Sequence, residues 1–235
     1  MMKKLVLSLL LFMAIGKISA QTQIQNSGWL FILNSTKFSE KWGLHLDVQA
    51  RSADNWGYLR NVLVRPGITY YINNKNNATV GYLLATTKTE MIGSSPINTE
   101  EHRIWEQYIF THKLKSSFVT HRGRLEQRFI GQANGDEIFA QRFRYFVRLL
   151  QPLQGKVDVF SKGPFVALQN EVFLNIQNKD LLNNSVFDQN RLYIAGGYRF
   201  SKKVDLEVGY LNQYSNGRTT NTSNRVAQLA LYTRF

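Results

Sequence analysis

Apolar and polar side chains alternate at every second position through most of this chain, a period that fits β-strands and little else. The last dozen residues, Asn224 to Phe235 (NRVAQLALYTRF), put Ala227, Leu229, Leu231 and Phe235 on one face. Gln228, Tyr232 and Arg234 occupy the other. The stretch KWGLHLDVQAR is cleaner still. Trp42, Leu44, Leu46, Val48 and Ala50 stand opposite His45, Asp47, Gln49 and Arg51.

Eleven segments carry the pattern strongly: Trp29–Phe38, Lys41–Arg51, Tyr58–Ile72, Ala78–Thr89, Arg103–Leu114, Thr120–Gly131, Ile138–Leu150, Phe165–Ile176, Gln189–Phe200, Val204–Tyr214 and Asn224–Phe235. In Arg103–Leu114 the adjacent Glu106 and Gln107 leave the faces open, because a bulge would shift them. The turns near Ser39, Asn74, Ser116 and Ser201 are short, whereas those near Gly93, Asn183 and Gly217 are longer. That rhythm predicts an all-β fold: a single antiparallel up-and-down transmembrane β-barrel over residues 21–235. Single-chain bacterial barrels have even strand numbers. We therefore expect about twelve strands, with Gln21–Asn26 as a short extra one; ten is the other possibility. A secreted soluble β-sandwich binding module is the alternative all-β reading.

Residues 1–20 read as a signal peptide, with Lys3 and Lys4 before an apolar run from Leu5 to Ile15 and a cleavage site at Ile18-Ser19-Ala20. The run is too short for a membrane helix, and no other approaches about 18 residues. Export follows. The 11 Tyr, 15 Phe and 4 Trp could supply the aromatic girdles of a membrane barrel, and only 4 Pro interrupt the ladders. With no Cys, disulfides, thiolate metal sites and a lipoprotein anchor are excluded. A strand that closes on Phe235 resembles the last strand of Gram-negative outer-membrane barrels, in which that residue is part of the assembly signal. The resemblance implies the cell outer membrane of a Gram-negative bacterium as the location. Outer-membrane lipid and the barrel-assembly machinery are then the expected partners.

Taken together, Trp29, KWGLHLDVQAR, Arg103–Gln107 (RIWEQ), Arg122–Phe129 (RGRLEQRF), Phe143–Leu149 (FRYFVRL) and Phe187–Phe200 (FDQNRLYIAGGYRF) resemble the domain-of-unknown-function family 2490. The resemblance spans nearly all of the chain after the leader. It implies an exported outer-membrane barrel, and it supplies no reaction and no catalytic residues.

The formal charge is +13, and removing a leader with Lys3, Lys4 and Lys17 lowers it to +10. Much of it is arginine inside strand alternation, not in a surface patch, so nucleic acid is not an expected partner. An arginine facing lipid costs on the order of 2–4 kcal/mol at mid-bilayer. The polar face must therefore point into the barrel. The inward set is Arg51, Arg65, Arg122, Arg124, Glu126, Arg128, Arg142, Arg144, Arg148, Glu171, Arg191 and Arg199, joined by Asp47, Asp205 and Glu207. Two readings follow. Guanidinium forks paired with carboxylates could fill the interior as a structural brace. Alternatively, an excess of arginine could line a narrow, anion-preferring pore for small anionic solutes.

Enzymatic readings find little support. A barrel-embedded lipid hydrolase needs a Ser–His pair on one strand face. None of His45, His102, His112 and His121 is followed two residues later by Ser. No His pair has metal-ligand spacing, and no cofactor motif is present; the expectation is no cofactor and no catalytic residues.

Overall fold

A computed structural model describes residues 22–91, 93–154 and 159–235. The leader expected at residues 1–20 lies outside them. Among the described residues, eleven strands close into one barrel. They are β1 (Thr22–Lys37), β2 (Trp42–Ser52), β3 (Leu59–Tyr71), β4 (Asn76–Thr89), β5 (Ile97–Leu114), β6 (Ser117–Gly131), β7 (Glu137–Pro152), β8 (Gly163–Gln177), β9 (Phe187–Ser201), β10 (Val204–Ser215) and β11 (Asn221–Arg234). There is one continuous wall and not the two packed sheets of a sandwich.

Each strand pairs antiparallel with the next, but β1 and β11 meet in parallel, from Thr22↔Asn221 to Ser35↔Arg234. The expected count of about twelve is thus one too high. Thr22–Asn26 does not turn back as a separate strand; it is the start of β1. An odd number of up-and-down strands leaves first and last running the same way, so only a parallel seam can close the wall. Closure leaves no unpaired edge. At the seam's lower end, the Phe235 N–H donates to Ser35 O at 2.9 Å, and Lys37 N–H donates to Phe235 O at 2.6 Å.

The polarity of this wall is inside out. Val80, Ile194 and Val208 are more than half exposed on the outer face, as are Trp42 and Tyr145 to a lesser degree. Arg124, Glu126, Asp205 and Glu207 are almost wholly buried. β5 runs in unbroken register with both neighbours. No bulge shifts its faces: Arg103, Trp105 and Gln107 point in, and Glu106 points out. Trp105 is 0% exposed because neighbouring strands make room. A Cβ at Gly81 would lie 2.4 Å from its ring.

The connections at residues 38–41, 72–75, 115–116 and 202–203 gather at one end with residues 153–154 and 159–162. Phe160 packs edge-on against Phe165 at 5.8 Å. At the other end lie residues 53–58, 90–91, 93–96, 132–136, 178–186 and 216–220. Here Asp54 Oδ1 accepts from the Asn26 N–H at 2.7 Å, tying a short 3-10 turn to β1.

Candidate functional site

Hairpin pairing between β6 and β7 places Arg124 directly opposite Arg144. Between β5 and β6, Arg103 stands opposite Arg128. Like charges facing each other across a ladder repel, and a buried guanidinium without a counter-charge is costly. A shared carboxylate bridges the second pair, and in the first pair carboxylates hold Arg144 while Arg124 bonds the Gln107 carboxamide. Glu126 accepts from Arg144 Nη1 at 2.6 Å and from Arg142 Nη2 at 2.7 Å, with Arg103 at 3.7 Å. Glu171 takes Arg122 at 2.6 Å and the other side of Arg144 at 2.8 Å. Glu101 takes Arg103 and Arg128, each at 2.6 Å, while Asp188 holds Arg142 at 2.8 Å.

Three further anchors tie other parts of the wall. Arg65 is paired with Asp47. Arg148 of β7 reaches across to Glu207 of β10, with Gln169 Oε1 accepting at 3.0 Å. Arg199 forms a fork with Asp205 at 2.7 Å through both Nε and Nη2, and also donates to Phe160 O at 2.8 Å. Such charge-assisted forks fix side chains in direction as well as position. Arg234 joins Asp205 at 2.8 Å.

Three arginines of the lattice have no carboxylate partner among the described residues: Arg51, Arg124 and Arg191. Arg124 donates to Gln107 Oε1 from Nη2 at 2.6 Å and lies over the Trp105 ring at 4.6 Å. Arg51 bonds Gln49 and sits 4.0 Å from the Trp29 ring. Arg191 lies 5.1 Å from the same ring and 4.8 Å from that of Phe173. With the Gln189 carboxamide oxygen turned toward it, Arg191 donates from Nε at 2.7 Å. Aromatic faces offset part of the cost of burying these cations, but they cancel no charge.

Four cavities follow the barrel from end to end. The one at the long-loop mouth holds about 390 Å³, the next about 200 Å³, the third about 310 Å³ and the lowest about 370 Å³. Arg51 borders both the first and the second. Arg65, Arg144 and Arg191 border the second and third, and Arg148 and Arg234 the third and fourth. An arginine stands at every junction.

All twelve candidate positions from Arg51 to Arg199 lie in this interior network or its stacked edges. Phe235 is apart from it, on the rim beside Lys203, whose Nζ is 5.4 Å from its ring. Sequence reasoning missed Arg103, whose strand could not be given faces, Glu101, which lay before the segment read from Arg103 although β5 begins at Ile97, and Asp188, which precedes the region of clear alternation in β9. It also missed a histidine pair. The tight β5–β6 turn brings His112 Nε2 to 3.1 Å from His121 Nε2, and His121 Nδ1 to 2.8 Å from the Tyr145 hydroxyl. The signal was available: with that turn, His121 faces Phe110, two residues before His112.

The fold and its interior define the protein as a closed β-barrel lined by a charge-braced arginine lattice. The family model described as "Protein of unknown function (DUF2490)" matches residues 26–224, and the chain belongs to that family. Neither the curated proteins nor the solved structures compared with the chain contain a match.

Proposed function

We propose that the protein is an exported outer-membrane barrel whose lumen is a narrow path preferring small anions. One observation carries the membrane part: large apolar and aromatic side chains cover the outside while charged ones are buried within. Water would favour the reverse arrangement, and a hydrocarbon surround favours this one. The lumen part rests on the surplus of arginine over carboxylate along four cavities in series, with arginines at each constriction. The ion-paired lattice braces the wall and narrows the path, so conductance should be far below that of an open porin.

The long-loop end, including residues 90–91, 93–96, 178–186 and 216–220, then faces outward, and the leader directs export. Fractionation of expressing cells tests the location; mature protein in the soluble periplasm or the medium would refute it. Epitope tags in the 216–220 loop should be accessible on intact cells, whereas a tag at Ser201 should not. Deleting Phe235 should slow assembly, because its main-chain bonds to Ser35 and Lys37 hold the end of the seam. For the lumen, planar-bilayer recording across a salt gradient should give a small conductance with anion preference. No current, or cation preference, would reject that part alone.

A further inference from the structure

The second cavity, about 200 Å³, is bordered by seven arginines and, among the described residues, by no carboxylate. Five of the seven are held from behind. Asp47 holds Arg65, Glu101 holds Arg103 and Arg128, and Glu126 holds Arg142 and Arg144. Counting Glu171 and Asp188, the carboxylates touching these seven number five, and Glu171 is shared with Arg122 outside the cavity. Positive charge therefore remains in surplus at a buried place. The remaining two, Arg51 and Arg191, are the ones stacked on Trp29. The Trp29 ring lies against a face of each guanidinium, and the Gln49 and Gln189 carboxamide oxygens take the Nε–Nη2 edge of each. The Nη1 N–H groups, which make no hydrogen bond among the described residues, remain in the plane to receive an oxyanion. Arg65 Nε is buried and has no hydrogen-bond partner.

Resting on the anion-preferring lumen above, we propose that this chamber is a binding site for a compact, multivalent oxyanion of the phosphate class, such as inorganic pyrophosphate. Three features select that chemistry. The guanidiniums come from β2, β3, β5, β6, β7 and β9. They surround the space, so a tetrahedral group with several oxygens can accept from many at once, whereas a planar carboxylate offers two oxygens to one or two forks. The local surplus exceeds one charge, which a monovalent ion leaves uncancelled. The volume lies below the roughly 300–1,000 Å³ of pockets for drug-sized ligands, which favours one or two phosphate groups over a nucleotide. The continuous strand wall separates the chamber from lipid, so the ligand is a free anion and not a lipid headgroup.

The test uses the purified full barrel in detergent. Isothermal titration calorimetry should show saturable binding of inorganic pyrophosphate, with chloride at equal ionic strength giving none. The R51Q/R191Q variant, which breaks no carboxylate pair, should keep the heat-modifiable gel mobility of a folded barrel and bind pyrophosphate at least tenfold more weakly. R218Q, at the exposed rim, should bind as the wild type does. Absence of pyrophosphate binding by folded wild type, or undiminished binding by folded R51Q/R191Q, would overturn the site. So would binding of phosphatidic acid micelles without binding of pyrophosphate. Anion-selective current without pyrophosphate binding would remove this site and leave the lumen reading intact. Binding to a barrel that carries no current would do the opposite.

Discussion

From β5 to β8 the inward positions carry Arg122, Arg124, Glu126, Arg142, Arg144 and Glu171, whereas from β8 to β11 small and apolar residues (Phe165, Ala167, Ala195, Leu211, Val226 and Ala230) stand beside fewer charged ones, Arg191, Arg199, Asp205 and Glu207. The two walls are complementary in length as well as in polarity. Glu207 pairs in the ladder with Gly197 on one side and Ala230 on the other, and Arg148 reaches it from β7 across the interior. Small residues on the apolar wall leave room for long side chains from the charged one. At Gly197 a Cβ would lie 2.5 Å from the Phe165 ring and 2.8 Å from Glu207. The contrast teaches that the lattice is a wall-to-wall filling of the barrel and not a coating of one side. The charged wall fixes direction through forks, and the apolar wall supplies dispersion contacts and space.

Breaking the charged wall should cost most. Glu126→Gln strips the bridging charge from Arg142 and Arg144 while leaving both buried, and removing one partner of a buried pair typically costs about 3–5 kcal/mol. Urea unfolding of the detergent-solubilised barrel measures it. A loss below about 1 kcal/mol would show that water already screens the lattice. The double variant Glu126→Gln, Arg144→Gln should lose less than the sum of its singles by about 1–3 kcal/mol, since Arg124 then no longer faces a like charge. Strict additivity would mean the two groups do not feel each other.

The apolar wall should respond more mildly. Phe165→Leu removes ring contacts with Phe160 and should cost about 1–2 kcal/mol by the same assay. If it equals or exceeds Glu126→Gln, the ranking of the two walls is inverted. The smallest effect is expected outside both. Glu106 lies exposed on the outer face, where Gln127 Nε2 donates to it at 3.2 Å. Glu106→Gln should change stability by no more than about 0.5 kcal/mol in detergent and should raise it in lipid vesicles. Destabilisation in vesicles would argue against a lipid-facing outer wall.

Much of this was legible in one dimension. Alternation marked eleven segments and told which side chains share a face, because successive residues in a strand point to opposite sides. It assigned Arg51 through Arg199 to the polar face for the same reason. It did not resolve β5, where Glu106 and Gln107 are adjacent polar residues and only the unbroken pairing with both neighbours separates them. The count of about twelve came close, one above the eleven described; the excess came from a general preference for even numbers, which carries no information about Thr22–Asn26.

By itself, then, the sequence determined strand positions, facing outside β5 and the surplus of positive charge, all of which depend on local period and composition. Tertiary structure alone decided the parallel closure of β1 on β11 and the allocation of each carboxylate. Glu171 meets an arginine 49 residues away and Glu207 one 59 residues away. Those partners are set by barrel closure, strand stagger and side-chain reach, and no local pattern encodes them.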